Sequence, residues 1–107
     1  MTTRDNHIIN LIKTRIKEKE PSAEIILFGS RARGNAHSDS DWDILILLNI
    51  PSVSREEEKG FRDEIFDIEL ETGEPISTFV FSKQEWETKY IYTPFYINIK
   101  KEGRVIK

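Results

Sequence analysis

Residues 29–47 read GSRARGNAHSDSDWDILIL, and they decide the fold because a polar segment here leads from one apolar segment to the next, and two of the three aspartates, Asp41 and Asp43, are separated by a single residue. The run before them, residues 24–28, is short and apolar, and Gly29 ends it, which predicts a buried strand. Residues 42–48 are apolar on both faces, as in a strand of a sheet covered on both sides. Residues 30–40 predict a loop or one short helical turn.

Two long helices are predicted outside this stretch. The first spans residues 4–19 and carries an apolar face made of Ile8, Ile9, Ile12 and Ile16. The second spans about residues 55–72, begins at a capping box of Ser54 and Glu57, and ends at Gly73. Its spacing predicts that four apolar residues are buried: Phe61, Ile65, Phe66 and Ile68.

The remaining elements complete an α+β fold. Residues 75–81 predict a third strand, and a second capping box of Ser82 and Glu85 predicts a short helix through Trp86 and Tyr90. Thr93 and Pro94 predict the start of a last helix, Gly103 predicts its end, and residues 104–106 predict an edge strand. We therefore expect an α/β sandwich-like arrangement, a small mixed β-sheet with helices packed on it, as one domain over residues 1–107.

Composition limits the classes of function. The chain has 107 residues, a net charge of −3 and no cysteine. The charge gives no overall basic field for nucleic acid, and the lack of cysteine excludes a disulfide framework and a thiolate metal site. The first ten residues lack the apolar core of a signal peptide, and no apolar run approaches the roughly 20 residues of a membrane-spanning helix. We expect a cytoplasmic protein with no membrane partner.

Asp41 and Asp43 are the candidate metal ligands. Side chains alternate along a strand, so residues two apart point to the same face, and these two carboxylates are expected side by side at the start of the second strand. Like charges that close repel unless a cation intervenes. Mg²⁺ prefers hard oxygen ligands and takes its remaining ligands from water or phosphate, so the pair predicts a magnesium site.

Gly29, Ser30, Arg31 and Arg33 are the candidate phosphate-binding residues. Glycine permits a close backbone approach, and a turn that starts at Ser30 would point free N–H groups and a hydroxyl outward. Arg31 and Arg33 can neutralise phosphate charge. Each feature alone is common in structural turns and on surfaces, but their order between two apolar strands predicts a phosphate cradle facing a metal, as phosphoryl or nucleotidyl transfer requires.

Gly29-Ser30, ten residues, and then Asp41-Trp42-Asp43 resemble the G-S-x10-D-x-D signature of the DNA polymerase β-like nucleotidyltransferase superfamily, in particular its minimal, MNT-type members. The resemblance runs from the first helix to the third strand. It implies a nucleotidyltransferase fold in which Gly29 and Ser30 hold the triphosphate and Asp41 and Asp43 bind two Mg²⁺ ions. It also implies transfer of a nucleoside monophosphate, usually AMP from ATP, to a hydroxyl with release of pyrophosphate.

The chain departs from the family pattern in one respect. The family places a third carboxylate on a later strand, facing the first pair. The corresponding strand here reads PISTFVF, residues 75–81, where Ser77 or Thr78 takes the expected position. Neither can act as a general base at neutral pH. Glu74, just before the strand, and Glu69 or Glu71, late in the preceding helix, are alternative third carboxylates.

Three functions remain open on the sequence. The first is a Mg²⁺-dependent nucleotidyltransferase; in the MNT-type family the acceptor is often a helical HEPN-domain protein, with the nucleotidyltransferase as the antitoxin of a toxin–antitoxin pair. The second is a degenerate domain that binds nucleotide or a partner without turnover. The third adds nucleotides to an RNA end, and the acidic net charge argues against it. The sequence leaves oligomerisation open.

Overall fold

The computed structural model describes residues 1–37 and 39–107. Nine elements follow one another along the described chain: α1 (Thr3–Lys19), β1 (Glu24–Phe28), α2 (Gly29–Arg33), β2 (Trp42–Leu48), α3 (Arg55–Thr72), β3 (Ile76–Ser82), α4 (Lys83–Trp86), α5 (Pro94–Glu102) and β4 (Arg104–Ile106). The four strands form one sheet, and the α+β class predicted from the sequence is confirmed.

The sheet is mixed, in the order β3-β2-β1-β4. Strand β2 pairs antiparallel with β1 and parallel with β3, and β4 pairs antiparallel with β1. The parallel pair needs a long crossover, which α3 supplies. Because β1 and β2 are antiparallel, the end of β1 lies next to the start of β2. The turn after β1 and the first residues of β2 therefore meet at one end of the two central strands, where the candidate site lies.

Helices cover both faces of the sheet. On one face, Trp42, Ile44 and Ile46 of β2 pack with the buried isoleucines of α1 and the apolar face of α3. On the other face, Leu45 and Leu47 pack with Trp86 and Ile99, and with a group of aromatic rings: Phe28, Phe79, Phe81, Tyr90, Phe95 and Tyr96. Alternation along β2 therefore sends neighbouring side chains into two separate apolar layers.

Local signals set most of the element boundaries. Helix α3 begins with the predicted capping box, in which Ser54 and Glu57 each accept from the other's backbone N–H, and ends at Gly73 in the left-handed conformation. Thr93 caps α5, Pro94 is its first residue, and the edge strand β4 follows Gly103. Among the described helices, none combines the length and apolar character needed to cross a membrane.

Three local predictions were wrong in part. Phe66 is not buried: 55% of its surface is exposed, beside Leu70 at 69%, because the core-facing side of α3 is already filled by Phe61, Ile65 and Ile68. The short helix α4 ends at Trp86 and does not reach Tyr90.

The second capping box is only half formed. The hydroxyl of Ser82 accepts from the backbone N–H of Glu85, as predicted. The Glu85 carboxylate, however, accepts from the Lys89 ammonium at 2.9 Å. The Glu85 carboxylate therefore pairs with Lys89, one helical turn later, and not with the backbone N–H of Ser82 as the capping box predicted.

Candidate active site at the start of β2

The junction of β1 and α2 lies against Asp43. Phe28, the last residue of β1, is the Cα partner of Asp43 in the antiparallel ladder, and Gly29 follows with a φ of +75°. A Cβ atom on residue 29 would collide with Oδ2 of Asp43 and lie 3.1 Å from its Cγ. Only glycine fits here, because it adopts positive φ without strain and leaves room for the carboxylate.

Asp41 and Asp43 interact electrostatically, as the two-residue spacing predicted. Asp41 is exposed and immediately precedes β2, whereas Asp43 is half-buried within the strand. Burial raises the pKa of the Asp43 carboxyl, and the charge of Asp41 raises it further. The nearby Arg33 guanidinium lowers that pKa and Glu102 raises it. An acidic pair that disfavours its own ionisation is suited to a bound cation.

Arg33 is paired with a carboxylate that sequence reasoning missed. One guanidinium nitrogen, Nη1, donates to both oxygens of Glu102, at 3.0 and 3.2 Å. Glu102 is the last residue of α5, so the ion pair connects α5 to α2 beside Asp43. No local motif marks Glu102, because the approach of α5 to α2 depends on the packing of the whole aromatic layer.

Arg31 lies on the opposite face of the sheet from the aspartate pair. Its guanidinium stacks on the Trp42 ring, 4.7 Å from the centroid, and donates to the Ser40 carbonyl at 3.0 Å. Asp5 and Glu74 lie 3.6 and 3.7 Å from its terminal nitrogens, and its side chain is only 10% exposed. The structure therefore separates the two arginines that the sequence grouped together, since Arg31 connects α2 to α1 through Asp5 and to the turn before β3 through Glu74.

Ser30 lies in the first turn of α2. Its carbonyl accepts from the N–H groups of Gly34 and Asn35, at 3.1 and 3.2 Å, which closes the turn. Phe28 is the residue before the helix and makes no side-chain cap. Two of the predicted phosphate-binding residues, Gly29 and Ser30, thus begin a helical turn whose first N–H groups no side-chain cap satisfies, next to Asp43.

The register of β3 locates the two residues named for the third carboxylate. Ser77 is the Cα partner of Asp43 in the parallel ladder, so a serine flanks the aspartate at this point. Thr78 pairs with Ile44 and belongs to the opposite face, where it is buried. Among the described residues its hydroxyl has no hydrogen-bond partner.

The three glutamates considered as alternatives are held elsewhere by other groups. Glu74 accepts from Nε of Arg4 at 3.0 Å and lies in the ion network of Arg31. The carboxylate of Glu69 accepts from the backbone N–H of Ile76 at 3.3 Å. Glu71 pairs with Arg15 at 3.1 Å. Each of these contacts fixes α3, or the turn after it, against a neighbouring segment.

The described residues contain no group of three or more histidine, aspartate or glutamate side chains arranged to hold a metal ion. Two carboxylates are nevertheless enough for Mg²⁺ in nucleotide sites, where substrate phosphates and water complete the coordination. Burial and the charge of Asp41 raise the pKa of Asp43, and a bound divalent cation would lower it again by stabilising the ionised carboxylate. The donor set therefore fits magnesium bound together with a triphosphate.

Comparisons with known proteins agree with this fold. A family model described as a nucleotidyltransferase domain matches residues 9–106. The structure superposes on a crystal structure of a toxin–antitoxin with AMP-PNP with a TM-score of 0.67, at 17% identity, covering 92% of this chain and 72% of the other.

Two mutants of the toxin–antitoxin MntA-HpeT give similar results. One has a TM-score of 0.65 at 14% identity, with 92% of this chain and 71% of that chain covered. The other has a TM-score of 0.60 at 18% identity, with 96% of this chain and 71% of that chain covered. A search of curated protein sequences found no match. At these identities the solved structures show a shared fold.

Proposed function

Because this chain belongs to the nucleotidyltransferase domain family, we propose that it is a Mg²⁺-dependent enzyme that transfers a nucleoside monophosphate, AMP from ATP, to a hydroxyl acceptor. The observation that carries the proposal is the contact of Gly29 with Asp43. It brings an uncapped helical turn against a half-buried carboxylate that has a second carboxylate, Asp41, two residues away. A phosphate-binding turn next to a cation-binding pair is the arrangement that a metal–triphosphate complex requires.

Asp41 and Asp43 would hold the metal, which when bound supplies Lewis-acid stabilisation of phosphate charge. The half-buried position of Asp43 in a paired strand fixes its carboxylate, and exposed Asp41 can adjust. Glycine at residue 29 leaves room for Oδ2 of Asp43 to lie against the backbone at the start of α2. Rigid support of this kind keeps the ligands in place when the substrate arrives.

Gly29, Ser30 and Arg33 would bind the triphosphate. The first N–H groups of α2 and the Ser30 hydroxyl donate to phosphate oxygens, and the Arg33 guanidinium neutralises charge beside them. Arg31 has no part in this role, because its guanidinium is stacked on Trp42 and paired on the other face. Its contribution is to hold α2 in position.

In the transfer, the acceptor oxygen forms a bond to the α-phosphorus and the bond from that phosphorus to the α–β bridging oxygen breaks. Pyrophosphate leaves, and the hydroxyl proton is released to solvent. Ser77, beside Asp43, offers no base to take that proton. We therefore expect slow turnover unless the acceptor molecule brings a base of its own.

We also propose that the acceptor is a protein, the helical HEPN-domain partner of a toxin–antitoxin pair in which this chain is the antitoxin. Three solved structures that share its fold are described as toxin–antitoxins, one of them with AMP-PNP. With a net charge of −3 the chain has no overall basic field to draw in RNA, which favours a protein acceptor over a nucleic acid.

A second candidate function rests on Ser77. With serine as the strand neighbour of Asp43, the site has the parts that bind a metal–nucleotide complex and lacks a carboxylate at that position to assist transfer. In this alternative the chain is a nucleotide-binding module, or it neutralises its partner by contact alone.

One experiment separates the two candidates. Lysate of the source cell is incubated with α-phosphate-labelled ATP and Mg²⁺, together with wild-type protein or the Asp41→Ala/Asp43→Ala variant. An enzyme labels an acceptor only when the wild type is present. A binding module gives no label with either protein, although the wild type binds ATP.

The matched control is Asp63→Ala/Asp67→Ala, which removes two exposed carboxylates from α3, away from the site. It should label as the wild type does. Labelling by Asp41→Ala/Asp43→Ala, or a wild type that binds no ATP, would refute the proposed site.

A further inference from the structure

The ion pair between Arg33 and Glu102 places an anion where the triphosphate is expected. Both oxygens of Glu102 accept from Nη1 of Arg33, and the two residues are 69 positions apart in the chain. The Arg33 side chain is 46% exposed and that of Glu102 is 25% exposed, so the pair lies at the protein surface and can open without unfolding the core.

The charges around this pair are unbalanced. The negative charges of Asp41 and Glu102 act on Asp43, and among the described residues Arg33 supplies the positive charge that opposes them there. The guanidinium therefore has a protein anion as its partner before any nucleotide arrives. A triphosphate that uses Nη1 of Arg33 must displace Glu102 from at least one of its two hydrogen bonds, because both run to that nitrogen. A triphosphate that uses the other guanidinium N–H groups is bound beside the Glu102 carboxylate and is repelled by its charge.

We propose that Glu102 is a positioning residue which holds Arg33 beside Asp43 in the nucleotide-free protein and competes with the triphosphate for it. This inference rests on the proposed function, since it assigns Arg33 to the phosphates. Nucleotide binding then exchanges one anionic partner of Arg33 for another. The affinity for nucleotide is lower than the phosphate-binding groups alone would give, and the arginine is already ordered near its place of use.

Replacement of Glu102 by glutamine separates the two parts of this role. Glutamine keeps an oxygen that accepts from Nη1 and removes the charge, so it still positions Arg33 but competes less well. The guanidinium stays charged, so the substitution removes the charge–charge attraction that holds Arg33 to residue 102 and the repulsion between residue 102 and the phosphates. We therefore expect Glu102→Gln to bind nucleotide roughly 3- to 10-fold more tightly. Glu102→Ala removes positioning as well and should gain less than Glu102→Gln.

The test is calorimetric titration of the full chain with AMP-PNP and Mg²⁺, which measures binding without transfer. Wild type, Glu102→Gln, Glu102→Ala, Arg33→Met and Arg33→Met/Glu102→Gln are compared, and circular dichroism checks that each variant is folded. The matched control is Glu71→Gln, which neutralises an exposed glutamate on α3 that pairs with Arg15 of α1 at 3.1 Å. This variant should bind nucleotide with the affinity of the wild type.

The expected result is tighter binding by Glu102→Gln that disappears in the Arg33→Met background and becomes smaller at high salt. An unchanged or weaker affinity of Glu102→Gln overturns the inference and leaves the proposed function standing. An equal gain in both backgrounds also overturns it, because the glutamate would then act on the site without Arg33. A gain for Glu102→Ala as large as that for Glu102→Gln would remove the positioning role. A folded wild type that binds no AMP-PNP refutes the proposed function itself, and the inference with it.

Discussion

The carboxylate of Asp43 occupies the space that a side chain on residue 29 would need, because a Cβ atom on Gly29 would overlap Oδ2. The backbone at Gly29 has a φ of +75°, so two independent requirements meet at one residue. Gly34, five residues along the chain, has a φ of +82°, but a Cβ atom there would meet no described atom within 4 Å. A side chain at residue 34 would therefore cause backbone strain alone, whereas a side chain at residue 29 would cause the same strain and also collide with Asp43.

Gly29→Ala should lose stability and nucleotide binding, whereas Gly34→Ala should lose stability alone. A left-handed alanine costs about 1–2 kcal/mol of unfolding free energy, which both variants share. Gly29→Ala must also displace the Asp43 carboxylate and hence the predicted metal ligand. Urea denaturation and AMP-PNP titration of the two variants measure the difference, and equal nucleotide affinity in both would show that the contact with Asp43 has no functional role.

Asp43→Asn should stabilise the nucleotide-free protein at neutral pH. Burial and the charge of Asp41 raise the pKa of Asp43 in the folded state above its ordinary value of 3.8. The stability linked to the neutral carboxyl is fully present below the unfolded-state pKa and is lost as the pH rises through the folded-state pKa. Asparagine stays neutral at every pH. The difference in unfolding free energy between Asp43→Asn and the wild type should therefore grow as the pH rises from the unfolded-state pKa through the folded-state pKa of Asp43, and then stay constant.

Thermal unfolding of wild type and Asp43→Asn between about pH 3 and 8 measures this advantage, with Asp67→Asn on the exposed face of α3 as the control for loss of one charge. Added Mg²⁺ and nucleotide should stabilise the wild type and leave Asp43→Asn unaffected, since a ligand stabilises only the state that binds it. An advantage that shrinks as the pH rises would contradict the raised pKa.

Ser77→Asp should supply a carboxylate beside Asp43, because the two residues are partners in the parallel ladder. Without metal the variant should be less stable than wild type, since it adds a third negative charge next to Asp41 and Asp43. With Mg²⁺, label transfer should rise by at least about tenfold if the missing carboxylate limits turnover, since a positioned base contributes about 10²–10⁴. Ser77→Asn is the uncharged control, and equal rates for the two variants would argue against that limit.

Arg31→Met should lower the stability of the fold, whereas Arg33→Met should lower the affinity for nucleotide. Arg31 is buried between Trp42 and the carboxylates of Asp5 and Glu74, so its loss should cost about 1–3 kcal/mol of unfolding free energy by removing the cation from these two partly buried carboxylates and the donor from the Ser40 carbonyl. Arg33 forms a surface pair, whose loss costs at most about 1 kcal/mol. Urea denaturation should therefore find Arg31→Met less stable, while AMP-PNP titration finds the affinity loss in folded Arg33→Met. The reverse assignment of the two losses would reject the division of roles.

Phe61→Ala and Phe66→Ala test the two sides of α3. Phe61 is 4% exposed in the core, and its truncation should cost about 3–5 kcal/mol. Phe66 is 55% exposed, so its truncation should change the free energy of unfolding by about 0.5 kcal/mol or less. Chemical denaturation of both variants gives the comparison, and similar costs would mean that Phe66 is covered in solution.

Elements defined by local chemistry could be predicted from the sequence. The capping box at Ser54 and the glycine after α3 fix that helix within the chain's own neighbouring residues. Strands β1 and β2 match their predicted limits because apolar runs end abruptly at Gly29 and begin at Trp42. Phe66 was assigned to the wrong side of α3 because helical spacing alone does not say how wide the covered face is.

The site was predictable in part, for a related reason. The motif predicted that the turn at Gly29 faces the aspartate pair, because the two lie on neighbouring apolar strands, but not the direct contact between Gly29 and Asp43. The different surroundings of Arg31 and Arg33 depend on which way each side chain leaves a five-residue helix, and the sequence pattern does not specify that. Glu102 comes from the far end of the described chain and reaches the site only through the packing of α5.

The sheet order also determines when the parts of the site come together during folding. Strands β1 and β2 form a local antiparallel pair, so the turn at Gly29 can meet Asp43 by closing a short loop. The contact of Arg33 with Glu102, and the pairing of β4 with β1, must close loops of about seventy residues or more, which is slower. We therefore predict that the acidic pair comes into place before Arg33 is anchored by Glu102, so that refolding monitored by nucleotide capture lags behind refolding monitored by strand pairing.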